Sequence, residues 1–257
     1  MNSTRMTGIT LEASGPPAEL VRLAQVSRHF GKGAARVQAL HEIDLVVFAG
    51  EMVAVCGPSG NGKTTLLNLI AMFDSASAGS VSVVRLLVAK LSEQARSELR
   101  GELMGLIFQC YELVPVLSAL DNVLLPLSLR ARAEADAPAE GRAWGLELLG
   151  QLGLANQAHQ LPSRLDAGQR QRVAIARALI TRPRLVLADE PTTRLDNGAI
   201  RQVMDLFARQ QRQHGTAFII TTRDQRQLSR STRTLQLSEG RLLAGSALAP
   251  RPLRVQR

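Results

Sequence analysis

The run Gly57-Pro58-Ser59-Gly60-Asn61-Gly62-Lys63-Thr64-Thr65 reads G-x-x-x-x-G-K-T, which sets two glycines, a lysine and a hydroxyl at phosphate-cradling spacing. Glycines let successive backbone N–H groups turn inward on an anion, and a helix starting at this point adds partial positive charge. Lys63 then reaches the β and γ phosphates, and Thr64 can ligate Mg²⁺. The preceding Met52-Val53-Ala54-Val55-Cys56 is apolar enough for a strand buried on both faces, and Leu66, Leu67, Leu69 and Ile70 follow at helical spacing. Strand, glycine loop and helix in that order are the context the pattern needs. The stretch is therefore expected to bind a nucleoside triphosphate, against the alternative of a chance glycine turn before a core helix.

A second set of reactive groups stands at strand ends. Leu185-Val186-Leu187-Ala188-Asp189-Glu190 is an apolar run that ends in two carboxylates, and it suits a parallel strand beside the phosphate loop. Asp189 would hold Mg²⁺, directly or through water, and Glu190 would polarise the attacking water as general base. The short strand expected at residues 105–108 ends in Gln109, whose amide either reaches the metal or the water or simply closes a solvated strand end. Phe30, just before the Gly31-Lys32-Gly33 turn region, is either a stacking platform for adenine or an exposed aromatic of no special role. Thr222, Arg223 and Asp224 close the buried run 217–221.

The elements that must position these groups follow from hydrophobic period. Near-alternation predicts strands at Leu20–Val26 and Ala39–Val47, a strand region at Val81–Val88, and a short polar helix capped by Ser92. From residue 110 to 169 strand signals fade, and helices are expected at Leu120–Arg132 and Ala143–Leu154 around a low-complexity link at 133–141. A long helix is expected from Gly168 to Thr181, stopped by Pro183, and another from a cap at Asn197 to about Gln213. A closing strand pair is expected around Glu239-Gly240, with polar or basic tails at both chain ends. The fold class is α/β. The expected division is a tail at 1–19, a core at 20–109, a helical insert at 110–169, a second core segment at 170–245 and a tail at 246–257.

The 257 residues suffice for one sizeable α/β domain without staples, and Cys56 and Cys110 are too few for a disulfide framework or a metal site. No stretch approaches about 18 uninterrupted apolar residues, and the N-terminus lacks a signal-like apolar core. The net charge is +9, but lysine occurs only at Lys32, Lys63 and Lys90, and the many arginines are scattered, not clustered. With aromatics at 3% there are few platforms for bases, so no nucleic-acid partner is expected.

In this order the motifs resemble those of the nucleotide-binding subunit of an ATP-binding cassette (ABC) transporter, over roughly Leu20 to Gly245. The resemblance implies a P-loop NTPase (RecA-like) core, an N-terminal antiparallel β subdomain and an inserted helical subdomain. It makes Gly57 to Thr64 the Walker A loop, Phe30 the A-loop aromatic and Gln109 the Q-loop. Leu165 to Gln169, including Asp166, Gly168 and Gln169, becomes the signature, Asp189 and Glu190 Walker B with its catalytic glutamate, and Leu195-Asp196 the D-loop. The run from Phe108 to Leu127 is similar to the lipoprotein-releasing and macrolide-exporter branch. What this implies is ATP and Mg²⁺ as cofactors, a membrane permease as partner, and a homodimer or a heterodimer with another cassette that sandwiches two ATP molecules head to tail. The location implied is the cytoplasmic face of the membrane.

Two departures from the family pattern fall on the γ-phosphate. Leu165-Asp166-Ala167-Gly168-Gln169 stands where the family has L-S-G-G-Q, so a hydroxyl has become a carboxylate. Ionised and about 4 Å from a phosphate charge, Asp166 would be repelled by about 4 kcal/mol at an effective dielectric of about 20, which opposes closure by roughly three decades. The alternative is that Asp166 caps the signature helix. Ala167 would cost about 1 kcal/mol more were its φ positive. Arg223 replaces the switch histidine; it either clamps the γ-phosphate or is a surface arginine paired with Asp224. The leading expectation is an ATP-hydrolysing transporter subunit, with turnover slowed by these departures. Its rivals are a degenerate cassette that switches on ATP binding and a DNA-associated cassette ATPase, although the chain lacks the long coiled coil and zinc cysteine pairs of the latter.

Overall fold

A computed structural model of the chain describes residues 17–31, 33–109, 112–131, 139–223 and 231–243. Residues 1–16 of the expected N-terminal tail, the expected C-terminal tail, most of the 133–141 link, Cys110 and Asp224 lie outside the described residues, and the first strand already begins at Glu19.

Two sheets share the work of holding the phosphate loop. The first is antiparallel, in the order β2-β1-β4-β5, built from β1 (Glu19–Phe30), β2 (Val37–Phe48), β4 (Ala78–Val83) and β5 (Leu86–Leu87). β1 outruns the expected strand because it carries a bulge. Gln25 adopts φ 50°, its N–H donates to Asp44 Oδ1 at 2.9 Å, and alternation resumes out of step after it. The expected strand region at 81–88 is a hairpin that turns at Val84 and Arg85, with φ 45° and 66°.

The second sheet has the order β10-β9-β3-β8-β7-β6, from β3 (Met52–Cys56), β6 (Met104–Ile107), β7 (Leu185–Asp189), β8 (Ala217–Thr222), β9 (Arg233–Ser238) and β10 (Arg241–Leu242). All but β10 run parallel. The strand with the paired acids, β7, is parallel as expected, and β8 lies between it and β3. β3, β7 and β8 are buried at every position, which is why their sequences read as unbroken apolar runs.

Their alternate residues nevertheless serve different cores. Val53, Val55, Leu185, Leu187 and Ile219 face a core shared with α1 (Lys63–Ile70) and the antiparallel sheet. Met52, Val186, Ala188, Phe218 and Ile220 face a core shared with α3 (Ala119–Ala131), α4 (Ala139–Gln151), α5 (Ala167–Leu179) and α6 (Asn197–His214). There Phe207 stacks on Phe218, with ring centroids 4.7 Å apart. The polar α2 (Glu93–Leu103) is capped by Ser92, which accepts from Ala95 N–H at 3.2 Å. α6 is capped by Asp196, not Asn197, through a 2.9 Å bond from Ala199 N–H, and Gly215 ends it at φ 65°. Among the described residues no helix is long and apolar enough to cross a membrane.

Candidate nucleotide site

The phosphate loop is pressed against neighbouring backbone, and that contact selects its glycines. A Cβ on Gly57 would lie 2.2 Å from Leu237 O, and one on Gly62 would lie 2.4 Å from Ala39 O. Gly62 also takes φ 94°, where a side chain is strained. Strand β9 and strand β2 thus form the wall behind the loop, and Asn61 Nδ2 donates to the same Leu237 O at 3.4 Å. Pro58, Ser59 and Gly60 remain exposed at the mouth, and Thr64 and Thr65 lie in the first turn of α1.

Lys63 is buried, and its ammonium donates to Gly57 O at 2.7 Å and Pro58 O at 2.8 Å. Its charge sits 4.0 Å from Glu190 Oε1. Thr64 Oγ1 donates to Asp189 Oδ2 at 2.7 Å, so one hydrogen bond spans from the loop helix to the end of β7. Although β8 separates the two strands, it supplies the brace. Thr221 Oγ1 donates to Asp189 Oδ1 at 2.5 Å and accepts from Glu190 N–H at 3.0 Å, while Thr221 O takes the same N–H at 3.2 Å. Glu190 is thereby held at φ 47°, a left-handed conformation rare for a side-chain-bearing residue and characteristic of functional turns. Its carboxylate is 8% exposed and meets Arg223, whose Nε and Nη2 lie 2.8 and 2.7 Å from Oε2. That contact pushes the Arg223 guanidinium pKa up from its ordinary value, through the hydrogen bond first and the charge second.

Lys63, Thr64, Asp189, Glu190 and Arg223 therefore converge at one end of the parallel sheet. The remaining expected residues stand apart from this cluster. Gln109 is exposed beyond β6 and, among the described residues, has no hydrogen-bond partner. The loop after it is tied to the helical insert by buried Asn122, which accepts from Val114 N–H at 2.7 Å and donates to Val114 O, Leu117 O and Ser118 O at 3.0–3.1 Å. Phe30 is 43% exposed at the end of β1, with the Arg28 guanidinium carbon 4.5 Å from its ring centroid.

In the signature stretch Asp166 is the N-cap of α5. Its Oδ1 accepts from Gln169 N–H at 2.7 Å, and Gln169 Oε1 accepts from Asp166 N–H at 2.9 Å, a reciprocal capping box. The carboxylate lies at the positive end of the helix dipole, where anions are favoured. Ala167 is the first residue of the helix and has no positive φ, so the expected strain is absent. A Cβ on Gly168 would come within 3.2 Å of Arg194 O, which places the signature helix against the turn before α6.

Sequence reasoning missed Thr221, Asn122 and Thr193, the last of which donates to Glu190 Oε2 at 3.0 Å. Thr193 had a signal, lying three residues after Glu190 in the turn that follows the paired acids. Thr221 and Asn122 had none in local pattern.

A family model described as ABC transporter matches residues 40–193. The lipoprotein-releasing system ATP-binding protein LolD of Bordetella avium is 41% identical over 240 residues, which span 93% of this chain and 100% of that protein. LolD of Anaeromyxobacter dehalogenans is 43% identical over 225 residues, spanning 87% of this chain and 92% of that protein. Among solved structures, the dimeric ATP-binding cassette MJ0796 in a post-hydrolysis state bound to ADP and Pi superposes with a TM-score of 0.81 at 34% identity, covering 87% of this chain and 96% of that one. A second dimeric structure of that cassette gives 0.82 at 33% identity with the same coverage. The fold agrees with these relatives over most of their length, and the chain belongs to the ABC transporter family as an ATP-binding, ATP-hydrolysing subunit.

Proposed function

We propose that the cluster at the phosphate loop is the catalytic half-site of a transporter motor of the lipoprotein-releasing type. The observation that carries this is the convergence of Lys63 and Thr64 with Asp189 and Glu190, at 4.0 and 2.7 Å, from two strands that are not neighbours. The residues Gly57 to Thr65 wrap the β and γ phosphates with backbone N–H groups, and Lys63 leaves its two loop carbonyls to take phosphate oxygens. Thr64 and Asp189 offer hard oxygens that fit Mg²⁺. These two oxygens lie 2.7 Å apart, so they would supply part of the shell of an ion that arrives with the nucleotide. Bound there, Mg²⁺ neutralises charge on the phosphates. Glu190 takes a proton from the attacking water, and Phe30 stacks on the base.

Asp166, Gly168 and Gln169 belong to the face that a second cassette's nucleotide would meet, and Gln109 to the coupling with the permease. The partner cassette is a second copy or a related chain. A groove of about 620 Å³ between α2, β6, α3 and α5, lined by Arg100, Met104, Phe108, Leu129, Arg130 and Arg177, suits a cytoplasmic segment of the permease. Its edge adjoins Gln109, so closure and docking share a boundary. The cargo would be lipoprotein or a similar amphiphile, recognised by the permease, and the subunit would sit on the inner face of the membrane. Steady-state hydrolysis of Mg-ATP tests the reading. Turnover lost in both Lys63→Ala and Glu190→Gln supports it, and wild-type turnover retained in either variant contradicts it.

A further inference from the structure

The two oxygens of the Glu190 carboxylate are treated differently. Oε2 receives three donors: Arg223 Nε at 2.8 Å, Arg223 Nη2 at 2.7 Å and Thr193 Oγ1 at 3.0 Å. Oε1 has the Lys63 ammonium at 4.0 Å, beyond hydrogen-bond length, as its only recorded partner among the described residues. The backbone of the same residue is fixed independently, by the Thr221 carbonyl and hydroxyl, in a left-handed conformation. The backbone at the root of the side chain is held by Thr221, and Oε2 at its tip by Thr193 and Arg223. A single acceptor is left over, on the side of the phosphate loop.

We propose that Thr193 and Arg223 form a clamp that positions the catalytic carboxylate by one oxygen, so that Oε1 alone addresses the attacking water. The clamp rests on the reading of Glu190 as general base. As the water oxygen bonds to the γ-phosphorus and the bond to the ADP oxygen breaks, the water's proton goes to Oε1. Oε2 stays with its three donors, which stabilise the carboxylate's orientation and keep it from rotating. In this arrangement Arg223 acts through Glu190 and not on the phosphate, and both Thr193 and Arg223 are positioning residues. The arginine suits the task because its guanidinium presents Nε and Nη2 together, here converging on one oxygen, which a single-point donor cannot do.

The test is steady-state and single-turnover hydrolysis of Mg-ATP by the full chain carrying Thr193→Val, Thr193→Ser, Arg223→Gln or Arg223→Lys, each also combined with Glu190→Gln. The clamp predicts that Thr193→Val and Arg223→Gln each lower kcat about tenfold or more, with KM within about twofold. Thr193→Ser keeps the hydroxyl and should retain nearly full kcat, which a folding defect at this turn would not explain. In the Glu190→Gln background neither substitution should change the residual single-turnover rate, because the group they act through is gone. Wild-type kcat in Thr193→Val overturns the clamp. So does a rise in KM at unchanged kcat in Arg223→Gln, which would assign the guanidinium to the phosphate. Wild-type turnover in Glu190→Gln alone removes the general-base reading itself, and the clamp with it, whatever the Thr193 and Arg223 variants do.

Discussion

The two ends of the nucleotide machinery are built to different degrees. At the phosphate loop each described charged group already has a counterpart within the chain: Lys63 faces Glu190, Glu190 binds Arg223, and Asp189 takes hydroxyls from Thr64 and Thr221. Asp189 and Lys63 are buried, and three parallel strands hold the cluster from behind. At the signature helix Asp166 and Gln169 instead bond to each other within one turn, in a capping box at an accessible helix start. One end is assembled by folding, whereas the other is closed within its own turn and, in the proposed reading, meets the nucleotide of a second cassette. The proposed shared site would use that asymmetry, and the solved relatives include a dimeric cassette.

The largest effects should come from breaking the assembled end. Glu190→Gln should lower kcat by at least about a hundredfold while ATP still binds, as measured by hydrolysis beside nucleotide titration. Gly57→Ala should nearly abolish ATP binding, because the added Cβ meets Leu237 O at 2.2 Å and the loop or β9 must shift. Its thermal unfolding should reveal a loss of roughly 1–3 kcal/mol. Substitutions at the signature end should act more gently and through a different observable. Asp166→Ala removes the cap of α5 and should cost about 1 kcal/mol of stability by denaturant unfolding, whereas Asp166→Ser should restore most of it. The smallest effect should be that of Asp196→Asn, which keeps a capping oxygen for α6 and should shift stability by only a few tenths of a kcal/mol. Were the signature substitutions to destabilise the fold more than Gly57→Ala, the contrast between the two ends would fail.

The chemistry was legible where it is contiguous. Gly57 to Thr65, with its strand and helix, could be read in one pass because loop, lysine and hydroxyl are neighbours in sequence. Asp189 and Glu190 were legible because an apolar run ending in two acids follows a phosphate loop in the same chain. What escaped notice depends on strands meeting. β3, β7 and β8 have the same unbroken apolar character, so nothing in their residues says that β8 lies between the other two. Thr221 therefore looked like an ordinary strand-end threonine, although it braces both acids. The Gln25 bulge and the turn at Val84-Arg85 were hidden because positive φ at a glutamine or a β-branched valine runs against local preference, and only tertiary pairing enforces it. The choice between carboxylate repulsion and capping at Asp166 was open in the sequence. Within the chain Asp166 caps α5, held by the two hydrogen bonds with Gln169.

The most direct test of the division between an assembled end and a waiting end is the mass of Glu190→Gln by light scattering, without nucleotide, with Mg-ADP and with Mg-ATP. Closure that depends on the γ-phosphate predicts a monomer in the first two conditions and a dimer with Mg-ATP, unchanged in kind by Asp166→Ser. A monomer that binds Mg-ATP yet never dimerises, in both the single and the double variant, would contradict it.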